Sequence, residues 1–209
     1  MSKGVVIIDY GHGNANSIKN ALATLGVQSL YSSQRADIAG AAALILPGVG
    51  HHGAAMRSLE ERGLVDPLNE AVLDRRIPVL GICLGMQLMT RSSEEGGSHG
   101  LGWVNADTRR IKPADRTRFR VPHVGWNTVN GNPECSLLYG VRTEDEPFYF
   151  CHSFGVVEVA PPAVTSMVGF DRPYVAIFEQ GNIFGVQFHP EKSQECGLIL
   201  LRNFLRHQR

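Results

Sequence analysis

The sequence predicts an α/β protein: an open, mostly parallel twisted sheet with flanking helices, extended in its second half by mixed or antiparallel strands. Three observations carry this. Short apolar runs alternate with segments of helical period through the first half of the chain, the pattern of βαβ units. A glycine-bracketed cysteine, Gly81-Ile-Cys-Leu-Gly85, closes one such run and leads into helix formers, as a strand-to-helix elbow requires. Beyond Trp103 long helical periods vanish until the C-terminal segment, so short strands and turns dominate Trp103–Gln187. A chain of 209 residues with 43% hydrophobic content can bury one good core, no linker breaks it, and one domain is expected over residues 1–209.

Twenty basic and twenty acidic side chains cancel, so no overall positive field recruits nucleic acid or an anionic membrane. The cysteines (Cys83, Cys135, Cys151, Cys196) are far apart and form no Cys-x-x-Cys pair, which suits a reducing cytoplasm better than a disulfide framework. The apolar run after Met1-Ser-Lys is too short for a signal peptide, and no stretch spans a membrane. A soluble cytoplasmic protein is expected.

Val5–Ile8 reads as a first strand, running into Asp9-Tyr-Gly-His-Gly-Asn14. Ile18, Ala21, Leu22 and Leu25 then recur at helical spacing, with Asn14 or Asn16 able to cap the start and Gly26 the end. Gly11 and Gly13 hint at a dinucleotide loop, but the third glycine of that fingerprint is missing. Strands are expected over Val27–Tyr31 and Ala43–Leu46. The turn Pro47-Gly-Val-Gly50 follows, and a helix opens near His51-His52. Such a glycine-rich turn is either an ordinary tight turn or a nest of N–H donors for an anion or oxyanion. The adjacent histidines lack a partner at ligand spacing, so no metal is expected.

Leu64–Leu73 reads as a second amphipathic segment, and Arg75-Arg76 near its end complements the helix dipole. Pro78–Gln87 supplies the elbow. Ser92–Leu101 is small, polar and glycine-rich, hence a loop, with Glu94 and Glu95 on a solvated surface. Val121-Pro-His-Val-Gly-Trp-Asn127 and Phe148-Tyr-Phe-Cys-His-Ser-Phe154 mix aromatics with polar residues, as at a core or at a partner-facing surface. A last strand over Asn182–Phe188 runs into His189-Pro-Glu-Lys-Ser193. Ser193 can cap a final helix with Leu198, Leu201 and Leu205 on its buried side.

Cys83 is either a packed core thiol or a nucleophile at a helix N-terminus, where the helix's positive end favours thiolate. His189 and Glu191 leave a strand end two residues apart, on one side of an extended chain. If that strand end lies beside the elbow, imidazole reaches the sulfur and the carboxylate fixes the imidazole tautomer. That is the logic of a Cys-His-Glu acyl-transfer triad.

Gly81-Ile-Cys-Leu-Gly-Met-Gln87 and Gln187-Phe-His-Pro-Glu-Lys-Ser193 resemble the two signatures of triad-type (class I) glutamine amidotransferases, and Pro47–Gly50 resembles their oxyanion strand. Asp9-Tyr-Gly-x-Gly-Asn14, Ser93-Glu-Glu95, Pro122-His-x-Gly-Trp-Asn127 and Tyr149-Phe-x-His-Ser153 extend the likeness along essentially the whole chain. They resemble the glutaminase subunits of imidazole glycerol phosphate synthase. The resemblance implies attack by Cys83 on the side-chain amide of L-glutamine, with His189 and Glu191 completing the triad. It implies an oxyanion hole at Val49, Gly50 and Leu84, and substrate contacts from Gly50, Gln87, His152, Ser153 and Phe154. It implies no cofactor. It further implies a heterodimer with a (β/α)₈-barrel synthase subunit that receives the ammonia and forms imidazole glycerol phosphate and AICAR in histidine biosynthesis. Asn14, His123, Trp126, Tyr149 and Lys192 would face that partner, whose ligand would activate the glutaminase by completing the oxyanion hole. Departures at His12, His51-His52, Cys151 and Phe154 spare the triad but leave the acceptor open to an alternative, a paralogous glutaminase feeding amidine formation on a bacterial surface sugar; a regulatory subunit that keeps the elbow only as scaffold is the alternative of a different class.

Overall fold

The computed structural model describes residues 4–208. Its first half is a run of parallel strands and crossovers: β1 (Val5–Ile8), α1 (Ala15–Thr24), β2 (Ser29–Ser32), α2 (Arg35–Gly40), β3 (Ala43–Leu46), α3 (His52–Glu61), α4 (Val65–Asn69), β4 (Val79–Ile82) and α5 (Leu84–Leu88). Asn14 caps α1 through its side chain on the Ser17 N–H, and Gly26 (φ 75°) ends it in the left-handed region. The segment expected as one amphipathic helix over Leu64–Leu73 is α4 followed by a π turn, Glu70–Asp74.

The second half supplies β5 (Ser92–Ser93), β6 (Ser98–His99), β7 (Ala106–Arg110), β8 (His123–Asn127), β9 (Val129–Asn130), β10 (Phe148–His152), β11 (Phe154–Val159), β12 (Val164–Gly169), β13 (Pro173–Gln180) and β14 (Ile183–Val186). Helix α6 (Gln194–Leu205) closes the chain. The main sheet has eight strands in the order β2-β1-β3-β4-β14-β13-β12-β9. It is parallel from β2 to β14, and β13, β12 and β9 extend it antiparallel. Not every late strand continues it. Strands β10 and β8 form a separate ribbon, and β11, β7, β5 and β6 a small mixed sheet. The Ser92–Leu101 stretch is therefore a short hairpin rather than a free loop, because Ser92 and Ser93 pair with Asp107 and Thr108 of β7.

Helices cover both faces of the main sheet, which explains why β1, β3 and β4 read as unbroken apolar runs instead of alternating ones. Val5 and Ile7 pack with Ile18 and Leu22 of α1 and Leu200, Leu201 and Phe204 of α6. Val6 and Ile8 pack on the other face with Leu59 of α3, Leu68 of α4 and Val72. No helix among the described residues is long and apolar enough to cross a membrane.

Candidate active site

Three neighbouring parallel strands end side by side. Leu46 of β3 stands opposite Gly81 of β4, and Ile82 of β4 opposite Val186 of β14. The residues just past those ends are the Pro47–Gly50 turn, Cys83, and Gln187 through His189. The carboxyl edge of an open parallel sheet is where such folds bind ligands. Cys83 sits on the elbow at φ 53°, a left-handed conformation that L-residues rarely adopt, and its N–H donates to the Val186 carbonyl at 2.8 Å. The turn that carries it is possible because α5 lies almost on the end of β3: a Cβ added at Gly85 would stand 1.9 Å from the Leu46 carbonyl oxygen.

His189 and Glu191 reach the elbow from β14. The His189 Nδ1–H donates to the Glu191 carboxylate at 2.8 Å, with both side chains almost wholly buried (5% and 2% exposed). That bond fixes the tautomer and leaves Nε2 for the thiol, and Cys83 and His189 line the same cavity. Burial alone would push the imidazole down. The hydrogen bonds to Cys83 and Glu191, and the negative charge on each, override it and raise the group to about 10. The second carboxylate oxygen of Glu191 is buried without a hydrogen-bond partner. Ser193, expected to cap α6, does not do so through its side chain. Its hydroxyl donates to the His189 carbonyl at 2.7 Å and accepts from the Tyr149 N–H at 3.0 Å, bracing the bend that carries the histidine.

A cavity of about 300 Å³ opens over the sulfur, lined by Val49, Gly50, Cys83, Leu84, Gln87, Glu95, Pro122, Cys151, His152, Ser153, Phe154, His189 and Lys192. It thus gathers Cys83, His189 and every residue expected to form an oxyanion hole or contact substrate. Leu84 opens α5, so its N–H has no partner within the helix, and Gly50 holds φ 110°, which suits glycine. A larger cavity of about 620 Å³ lies elsewhere, over Arg91, Glu94, Asp107 and Arg109, whose charges are paired with one another.

Three residues of this region carried no role in the sequence reading. Glu95, expected on a solvated surface, lines the cavity and accepts from the His52 N–H at 2.8 Å, because the β5–β6 hairpin folds it back over the start of α3. The Tyr10 hydroxyl donates to the Pro47 carbonyl and ties the glycine-rich turn to the end of β1. Gln187 is fully buried beside the sulfur. All three lie in stretches that carry the family resemblance, Ser93-Glu-Glu95, Asp9–Asn14 and Gln187–Ser193, but nothing in the spacing assigns a contact to any of them.

Of the residues expected to face a partner, Asn14 and Lys192 are exposed, and Trp126 is 48% exposed. Trp126 stands edge-on to Tyr149, with ring centroids 5.8 Å apart, and Lys192 Nζ lies 5.5 Å from the Tyr149 ring centroid. His123 is a correction. Alternation along β8 turns Val124 and Trp126 outward and His123 inward, where its ring stacks on Phe150 and packs against Phe170.

The chain belongs to the class-I glutamine amidotransferase family, whose profile matches residues 6–208, and it is a glutamine amidotransferase. Its likeness to the glutaminase subunits of imidazole glycerol phosphate synthase extends over nearly its whole length. It is 42% identical over 201 residues to imidazole glycerol phosphate synthase subunit HisH 2 of Pseudomonas aeruginosa, covering 96% of this chain and 98% of that one. It is 41% identical to subunit HisH 2 of Methanococcus maripaludis, covering 97% and 98%. Among solved structures, the fold is shared with PurLQS from Thermotoga maritima at TM-score 0.74 and 19% identity, covering 99% of each chain.

Proposed function

We propose that the chain acts as one cytoplasmic domain that hydrolyses L-glutamine to glutamate and ammonia, with Cys83, His189 and Glu191 as the triad. The Cys83 thiolate attacks the side-chain carbonyl carbon, and the oxyanion takes N–H donors from Leu84 and the Val49–Gly50 turn. The C–N bond breaks as His189 gives its proton to the departing nitrogen, leaving ammonia and a γ-glutamyl thioester. Water then attacks the thioester carbon, His189 takes up a proton, and the C–S bond breaks to release glutamate and restore the thiolate. Glu191 supports the imidazolium throughout. Glu95 is the carboxylate on the cavity wall and is our candidate for the substrate's α-ammonium. Gly50, Gln87, His152, Ser153 and Phe154 enclose the amino-acid end.

The observation that carries this reading is the register of β4 and β14, which sets the thiol and an imidazole raised to about 10 on adjacent strand ends, over a cavity of amino-acid size. The names of the relatives favour an acceptor in imidazole glycerol phosphate synthesis. In this reading the ammonia passes to a (β/α)₈-barrel synthase subunit, yielding imidazole glycerol phosphate and AICAR in histidine biosynthesis. The exposed Trp126 and Lys192 and the half-buried Tyr149, with Asn14, form the docking face, and His123 supports that face from behind. Cys83→Ala in the complex abolishes synthesis from glutamine and spares synthesis from added ammonia. Loss of both activities contradicts the proposal.

A further inference from the structure

We propose that Gln187 is a catalytic residue whose side-chain N–H donates to the Cys83 sulfur and stabilises it as thiolate. This rests on the reading of Cys83 as the nucleophile. Gln187 follows β14 as Cys83 follows β4, and the pairing of Ile82 with Val186 sets the two opposite each other. The Gln187 side chain is fully buried, and its Nε2 lies 3.7 Å from Sγ.

The orientation of that amide follows from a chain of forced choices. The Phe154 carbonyl can only accept, so the Gln87 side chain turns its NH₂ toward it, at 2.9 Å. The same Gln87 nitrogen lies 2.9 Å from the Gln187 amide, so the atom it meets there must be the oxygen. The Gln187 nitrogen is left facing the sulfur. His152 locks the anchor, donating from Nδ1 to the same Phe154 carbonyl at 2.8 Å. Both glutamines are thus committed to one arrangement, and a buried amide held this way solvates an anion with no reorganisation when the anion forms.

The sulfur then has a neutral donor on the strand side, Gln187, the Cys151 carbonyl at 3.9 Å as acceptor for the thiol, and His189 on the shared cavity wall as the cationic partner of the thiolate. The other ionisable groups facing Cys83 are Glu191 behind the imidazole, Tyr10 beneath the Pro47–Gly50 turn, His152, and Glu95, Cys151 and Lys192 on the cavity wall. None of them changes in a Gln187 variant. Gln187→Glu keeps the oxygen that accepts from Gln87, replaces the donor toward sulfur with a carboxylate oxygen and brings a negative charge. Gln187→Met removes the donor without adding charge.

The test follows alkylation of the Cys83 peptide by iodoacetamide against pH, by mass spectrometry on the full chain, alongside glutaminase activity. The account expects the midpoint of alkylation to rise by about one pH unit in Gln187→Met and further in Gln187→Glu. It expects kcat/KM for glutamine near pH 7 to fall about 3- to 10-fold in Gln187→Met, since a higher pKa costs thiolate but returns part of the loss as nucleophilicity. An unchanged midpoint in a folded Gln187→Met protein overturns the proposal. If that variant does not fold, an unchanged midpoint in a folded Gln187→Leu protein, which likewise has no donor toward sulfur, overturns it equally. Wild-type protein that keeps full glutaminase activity after Cys83 is alkylated refutes the nucleophile itself, a separate failure.

Discussion

Ile82 and Val186 stand opposite each other on adjacent parallel strands, and one residue beyond each lie Cys83 and Gln187. Two segments more than a hundred residues apart are joined by ladder hydrogen bonds up to the Cys83 N–H, which donates to the Val186 carbonyl. The candidate nucleophile and base inherit their separation from that ladder, so the site is only as well placed as the strands beneath it.

Close approach at the elbow makes Gly85 a sharp test of that dependence. A methyl group there meets the Leu46 carbonyl oxygen, a backbone atom that cannot rotate away. Gly85→Ala is expected to lower stability by about 1–3 kcal/mol, as overpacking commonly does, and to depress glutaminase activity by displacing α5. The urea midpoint and glutamine turnover measure both; wild-type values would mean that α5 is free to move.

Glu95 faces the cavity while also accepting from the first N–H of α3. Glu95→Gln keeps an acceptor for that N–H and loses the charge. KM for glutamine is expected to rise about 10- to 100-fold, the worth of a charge-assisted hydrogen bond, with kcat less affected. Steady-state kinetics decide the matter, and an unchanged KM would remove Glu95 from the substrate site.

Burial lowers three histidines, His52 and His123 to about 4 and His152 to about 3. Their neutral forms are favoured in the folded chain, so their contribution is intact above pH ~6.5 and is lost as pH falls toward those values. His123 and His152 are hydrogen-bonded ring to ring at 3.1 Å and titrate as a pair, and the joint cost with His52 is expected to be about 2–4 kcal/mol at pH 5 relative to pH 7. His189 has the opposite sign: its contribution is full below pH ~6.5 and fades as pH rises toward about 10, so between pH 7 and pH 5 it gains a little and offsets only a small part of the fall. Denaturant titrations at pH 7 and pH 5 should show a marked fall in stability. Equal stability at both would indicate that these rings are hydrated.

The parts legible in the sequence were those encoded locally. Val5–Ile8 and Ala43–Leu46 match their predicted bounds because doubly buried parallel strands are short apolar runs between turns. The elbow was visible in its two glycines, and the bend after β14 in His189-Pro190. The remainder depends on pairings between distant segments. Nothing near Ser92 announces that it will pair with Asp107, and without that hairpin Glu95 looks like any surface acid. Nothing near Gln187 signals a bond to Gln87, and the burial of His123 depends on Phe150 and Phe170 closing over it.

A glutaminase of this kind requires covalent chemistry at one sulfur. Exposure of the chain or its complex to a glutamine-derived affinity label, followed by peptide mass spectrometry, should find the adduct on Cys83, block labelling with excess glutamine, and lose glutaminase activity in step. A label found on Cys151 or elsewhere while Cys83 stays free and activity persists would contradict it.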